Sequence, residues 1–309
     1  MLRERAGGGT GGTRRFLCRA GAARVLAALA AAVCAASCAL GAEKPGWRLV
    51  WSDEFDYEGA PDPKKWNYEV GFVRNNELQY YTKDRRENAR VEKGMLVIEG
   101  RKERFKNPSY DPNAKGQGNK SKEFAEYTSA SLTTYGLASW TYGRVEVRAK
   151  LPTGRGTWPA IWMLGANRGK VSWPKCGEID IMENVGFDPD GIHTTVHTQA
   201  YNHTKGTQKG HRTTIKRPFD DFHVYAMEWT EKEIAFFVDE QKVFTFQNDG
   251  KGEDAWPFDK PEYLLLNLAI GGAWGGAKGV DEAIFPQKYL IDYVRVYERV
   301  PSEAPKAGP

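Results

Sequence analysis

The chain has 309 residues, of which 40% are hydrophobic and 27% charged, with a formal charge of +4. The basicity is local: residues 1–41 hold six arginines against Glu4 and contribute +5, which leaves the rest near −1 and argues against a nucleic-acid partner. Three of the four cysteines, Cys18, Cys34 and Cys38, fall in the same stretch, so the body keeps only Cys176, cannot form an internal disulfide and must be stabilised by its core.

In chain order, the arginine-rich Met1 to Arg24 is followed by Val25 to Leu40, a nearly unbroken run of small apolar residues. That run is too short to span a bilayer comfortably and has no polar side to make it a surface helix, so it reads as the apolar region of a secretory signal over residues 1–41. Ala39-Leu40-Gly41 offers a cleavage site, while Ala35-Ala36-Ser37-Cys38 offers a second reading, a lipoprotein leader that leaves Cys38 lipidated. The protein is therefore expected to be extracellular or periplasmic, or held at the outer membrane through Cys38.

Residues 42–299 read as one β domain. From Tyr142 to Leu151 the residues alternate, with Val145, Val147, Ala149 and Leu151 on a core face and Arg144, Glu146, Arg148 and Lys150 on a face expected to be wet. Further strands are expected at Trp47–Ser52, Met95–Arg101, Thr128–Thr133, Ile192–Gln199, Phe222–Trp229, Ile234–Val238, Lys242–Phe246, Tyr263–Ile270 and Tyr289–Glu298, with a tight hairpin at Val238–Val243. No amphipathic helix of useful length interrupts them, and the pattern predicts an all-β sandwich of two antiparallel sheets. Phe105 to Lys122 and Thr204 to Lys216 read as irregular loops, and 300–309 as a disordered Pro- and Ala-rich tail. Trp47, Trp51, Trp66, Trp140, Trp229 and Trp256 are expected in the core.

The most informative stretch is Gly177-Glu178-Ile179-Asp180-Ile181-Met182-Glu183-Asn184-Val185, three carboxylates in six residues of strand-forming sequence. Alternation places Glu178 and Asp180 on one face; one bulged residue near Met182 would return Glu183 to it. Two glutamates so placed form the pair that glycoside hydrolysis requires. Trp158, Trp162 and Trp173 upstream and His193 and His197 downstream add aromatic and titratable groups that a merely solubilising strand edge does not need. His193 and His197 share a strand face, but a catalytic zinc site wants a third ligand, so no catalytic metal is expected. Cys176 reads as a small buried hydrophobe rather than a nucleophile.

The run Gly156-Thr157-Trp158-Pro159-Ala160-Ile161-Trp162-Met163, followed by Trp173-Pro174-Lys175-Cys176-Gly177-Glu178-Ile179-Asp180-Ile181-Met182-Glu183, resembles glycoside hydrolase family 16, in its bacterial laminarinase-like branch. The resemblance covers about Trp47 to Glu298. It implies a β-jelly roll of the concanavalin A-like kind, with a cleft on the concave sheet and a retaining endo-glycosidase activity on β-1,3-linked glucan, extending to mixed-linkage glucan. Within it Glu178 corresponds to the nucleophile, Glu183 to the general acid/base and Asp180 to the acid that tunes the nucleophile. His197 resembles a cleft residue assisting the acids. Trp158, Trp162 and Trp173 fit as sugar platforms by position. Arg74 and Asn75, in Arg74-Asn75-Asn76-Glu77-Leu78-Gln79-Tyr80-Tyr81, resemble residues that reach sugar hydroxyls. The alternative for that segment is an Asn-rich turn with Glu77 and Tyr80 as packing or surface residues. Trp274 stands on a glycine-flanked loop that the family places at the cleft. Asp292 matches a position that helps hold a structural calcium; no cofactor is required for catalysis. The expected partner is a β-glucan polysaccharide, with no obligate protein partner and a monomeric state. Rival readings are a non-catalytic β-glucan recognition protein and the same chemistry on agarose or carrageenan.

Overall fold

The computed structural model describes residues 44–115 and 120–300. The expected leader, with Cys38, and the tail from 301 lie outside the described residues. The chain divides into two units after Pro45, and every described strand belongs to the second. These are β1 (Trp47–Asp53), β2 (Asn67–Glu69), β3 (Gln79–Tyr81), β4 (Ala89–Glu92), β5 (Met95–Lys106), β6 (Phe124–Ser129), β7 (Ser131–Thr133), β8 (Gly143–Lys150) and β9 (Thr157–Gly165). There follow β10 (Glu178–Val185), β11 (Asp188–His197), β12 (Lys209–Thr214), β13 (His223–Trp229), β14 (Glu233–Val238), β15 (Gln241–Gln247), β16 (Glu262–Ile270) and β17 (Gln287–Arg299).

Two sheets share them. The larger runs β15-β14-β13-β8-β17-β5-β6-β3, with β1 added on β17 and β4 on β5; the smaller runs β12-β11-β10-β9-β16-β7-β2. Pairing is antiparallel except where β3 lies parallel to β6. Inward-facing residues of both sheets meet in one core: Val145, Val147 and Ala149 of β8 lie in the same cluster as Ile161 and Met163 of β9 and Leu264 and Leu266 of β16. Each large aliphatic side chain so buried contributes roughly 1.5–3 kcal/mol, which is why described residues whose single cysteine, Cys176, is free can hold this fold. The expected hairpin closes through Asp239 and Glu240, both left-handed at φ 49° and 65°, between Val238 and Gln241.

Four expectations need correction. The outer face of β8 is not uniformly wet, since Arg144 is fully buried and Glu146 nearly so. Registered against β13 and β17, Arg144 lies among counter-charges, donating to Glu146 at 2.6 Å, Glu228 at 3.0 Å and Glu240 at 2.8 Å. The stretch read as one strand at Thr128–Thr133 is two, because the chain steps from the larger sheet to the smaller at the fully buried Ala130. Thr204 to Lys216 contains the edge strand β12, whose almost wholly exposed residues give no alternating signal. Trp47 is not core: it sits half-buried on β1 with the Arg299 guanidinium 5.8 Å over its ring, whereas Trp66, Trp229 and Trp256 are buried and Trp51 and Trp140 pack against the core.

Candidate active site

The site is built on β10. Its register on β9 runs Glu178 to Leu164 and Asp180 to Trp162, then Met182 to Ile161 and Glu183 to Ala160, so Ile181 is one residue more than β9 can match. Ile181 and Met182 both enter the intersheet core. This is the bulge the sequence called for, and it returns Glu183 to the outer face that Glu178 and Asp180 share. The pairing on β11 agrees, with Glu178 opposite His197, Asp180 opposite Thr195 and Glu183 opposite His193. Four strand steps therefore separate the two glutamates, about 13 Å of backbone. Gly177 leads into β10 at φ +86°, and a Cβ there would lie 2.9 Å from Glu262 Oε1, so glycine is needed to turn the chain into the strand at this point.

The outer face of the smaller sheet carries a cleft of about 830 Å³. All the site residues named from sequence line it: Glu178, Asp180 and Glu183, the four tryptophans Trp158, Trp162, Trp173 and Trp274, and His197, Arg74 and Asn75. Their surroundings differ. Trp158 Nε1 donates to Glu183 Oε1 at 2.9 Å, and its ring meets Trp274 edge-on at 5.5 Å. Trp162 is only 7% exposed, donates from Nε1 to Asn267 Oδ1 at 2.7 Å and lies 4.8 Å beneath the Arg74 guanidinium, which is paired with Glu69. It seats Arg74 more than it offers an open face. Trp173 is half-buried near His197 and His203. Asn75, left-handed at φ 55°, accepts the Ala273 N–H at 2.8 Å through its carbonyl, which locks the Arg74–Asn75 turn to the loop bearing Trp274.

Electrostatics set this cleft apart. Burial raises the Glu178 carboxyl to about 8, with Asp180 pushing the same way and His197 and Arg74 opposing. Asp180 is raised by burial as well, and Glu183 is held well above the ordinary carboxylate range by burial and by Asp180, against the Trp158 hydrogen bond. His197 Nε2 lies 3.4 Å from Asp180 Oδ2 and 3.8 Å from Glu178 Oε1. These three side chains each bring a ligand atom within 4.8 Å of the others, so among the described residues a group with cation-ligand spacing comprises Glu178, Asp180 and His197 and leaves out His193. Cys176 is free and buried, and burial raises its thiol to about 11, as suits a packing residue. Asp292 on β17 accepts Arg148 at 2.7 Å; a guanidinium in that place competes with the calcium the resemblance implied, and these side chains do not by themselves fit the ion.

Among the cleft residues that the sequence reading did not place there are Glu77, Asn267, His203 and Gln208. Glu77 is buried, lines the cleft and accepts Gln79 Nε2 at 2.7 Å, with burial raising its carboxyl. Asn267 bridges Trp162 and the Tyr81 hydroxyl, the latter at 3.0 Å. A lone amide in Leu264-Leu265-Leu266-Asn267-Leu268 was a usable signal, because a polar group in such a run needs a reason. His203 and Gln208 also line the cleft, from a loop whose sequence shows only polarity.

Comparison with known proteins agrees with this geometry. The profile of glycosyl hydrolases family 16 matches residues 79–295. A beta-glucanase of Rhodothermus marinus is 53% identical over 265 residues, which cover 83% of this chain and 87% of that protein. The X-ray structure of the laminarinase from Rhodothermus marinus superposes with a TM-score of 0.74 at 52% identity, covering 82% of this chain and 98% of that one. SCLam, a non-specific endo-beta-1,3(4)-glucanase solved as a variant with 1,3-beta-D-cellobiosyl-glucose at its active site, gives a TM-score of 0.74 at 51% identity, covering 82% and 95%. On its all-β jelly-roll fold and on these matches, the chain belongs to glycosyl hydrolases family 16.

Proposed function

We propose that the cleft hydrolyses β-1,3-linked glucan internally, with retention at the anomeric carbon. The observation that carries this is the bulged β10, which sets Glu178, Asp180 and Glu183 on one cleft face. Glu183, kept protonated by burial and oriented by Trp158, donates its proton to the glycosidic oxygen while Glu178 attacks the anomeric carbon. The C–O bond breaks, the leaving sugar departs with the proton, and a glycosyl ester forms on Glu178. Glu183, now ionised, takes a proton from water as that water attacks the ester, which restores both residues. Asp180 and His197 each bring a side-chain atom within 4.8 Å of Glu178, and two buried carboxyls this close share one proton; with that proton on Asp180, Glu178 acts as the carboxylate nucleophile.

Because the two glutamates act from either side of the bond along β10, the sugar chain crosses the strands above Asp180, between Trp162 on β9 and Thr195 on β11. Relatives described as a beta-glucanase and a laminarinase support glucan as the polymer, and SCLam's 1,3-beta-D-cellobiosyl-glucose supports action on mixed linkages as well. Reducing-sugar release on laminarin, lichenan, carboxymethylcellulose, agarose and carrageenan tests the reading. Laminarin should be cut internally, lichenan less and carboxymethylcellulose not at all; preference for a galactan would overturn the substrate, and binding of laminarin without release would favour a recognition protein. Residues 1–41 are read as an export signal on their composition, and intact-mass analysis of the native protein should find them removed up to Cys38 or Gly41.

A further inference from the structure

The connection from β11 to β12, residues 198–208, is closely fastened to itself. Asn202, fully buried, donates from Nδ2 to the Thr198 carbonyl at 3.0 Å, and its Oδ1 accepts the Thr204 hydroxyl at 2.6 Å. Thr207 Oγ1 accepts the Asn202 N–H at 3.1 Å and donates to the Ala200 carbonyl at 3.0 Å. Gly206, left-handed at φ 66°, ends a single 3-10 turn over His203–Lys205. A loop held this way has a fixed shape, and what it gives the cleft is His203 and Gln208.

His203 is itself exposed, yet its ring lies 5.0 Å from Trp173 at an interplanar angle of 34° and meets His197 edge-on at 5.1 Å. His197 is 6% exposed; its Nε2 faces the acids while its Nδ1 is buried without a protein partner. Two adjoining rings offer the apolar platform that a pyranose face stacks on, and the His203 imidazole and the Gln208 amide offer partners for its hydroxyls. Burial, then His197, lowers the His203 pKa, so its imidazole is neutral at pH 7 and can both donate to and accept from a hydroxyl.

We propose that this loop is a sugar subsite in which His203, stacked beside Trp173, and Gln208 hold the glucose unit on the β11 side of the bond being cut. The inference rests on the β-glucan reading above. It is tested by steady-state kinetics of the wild type, His203→Ala and Gln208→Ala on laminari-oligosaccharides of increasing length, with the cleaved bond located by end-labelling. His203→Ala should raise KM roughly tenfold on oligosaccharides long enough to reach the loop, as expected for one or two lost sugar contacts, and should move the preferred cleavage position. Its Tm should be unchanged and its kcat should move less than its KM, and His203→Phe should recover part of the KM through stacking alone. Asn202→Ala, which unfastens the loop, should reproduce the KM defect. A wild type that cuts laminarin, with the KM of His203→Ala and of Gln208→Ala within twofold of it and the cleavage position unmoved, would overturn the subsite and leave the glucanase reading intact. A wild type that does not cut laminarin removes both.

Discussion

Arg144 and Glu178 are each planted in a strand whose other face is core, and the protein treats them in opposite ways. Arg144, on the outer face of the larger sheet, is fully buried but held by Glu146, Glu228 and Glu240. The same face pairs Arg90 with Glu99 at 2.9 Å and Arg295 with Glu54 at 2.8 Å. On the cleft face, among the described residues, none of Glu178, Asp180 and Glu183 is salt-bridged to a lysine or arginine; Arg74, the guanidinium that acts on Glu178, is already paired with Glu69. Glu262, at the start of β16, is buried with neither carboxylate oxygen bonded. Paired burial of charge is close to neutral for stability, whereas unpaired burial is unfavourable and persists where its chemistry is used. The larger sheet is thus a scaffold and the smaller one a reagent.

The sharpest way to test that contrast is Glu178→Gln. On the proposed mechanism it removes the nucleophile, and kcat on laminarin should fall by on the order of 10³-fold or more. The same variant should be the more stable protein, and only at high pH. The folded pKa of Glu178 is raised from 4.5 to about 8, so its folding penalty is absent below 4.5, where the carboxyl is protonated folded or unfolded, grows as pH rises and is complete above about 8. Tm should therefore match the wild type near pH 4 and exceed it at pH 8; equal values at both would break the comparison. Arg144→Ala reverses the pattern. Stripping the cation from three glutamates should cost about 3–5 kcal/mol in urea denaturation with kcat retained, and a loss below about 1 kcal/mol would mean the cluster does not hold the scaffold together.

The smallest effect separates two tryptophans of the same cleft. Trp173→Ala removes a half-open ring and should lower kcat/KM about ten- to hundredfold, or 1–3 kcal/mol, with little change in Tm. Trp162→Ala leaves Asn267 Oδ1 without its donor and Arg74 without its seat, so it should lower Tm as well as activity. Equal Tm losses in the two variants would remove the distinction.

The sequence was most legible where residues obey a local rule. The inward facing of Val145, Val147 and Ala149 on β8, the two-residue hairpin at Asp239-Glu240 and the count from Glu178 to Glu183 each depend on near neighbours, and each appears in the structure. What was lost depends on distant partners. β9 buries all nine of its residues, so period two is silent there. Arg144 looked wet because its glutamates come from 84 and 96 residues away as well as from nearby. Trp162 looked like a platform because Arg74 arrives over it from another segment. His203 was missed because the loop that presents it is held by side-chain to backbone bonds that leave no periodic trace.

Proton NMR of the first product released from laminarin tests the central claim most directly, since it reports whether Glu178 forms a covalent intermediate on the bulged strand. The β-anomer should appear first, with the α-anomer growing in only as mutarotation proceeds. An α-anomer at the earliest time points would mean a single inverting displacement and would contradict the nucleophile assigned to Glu178.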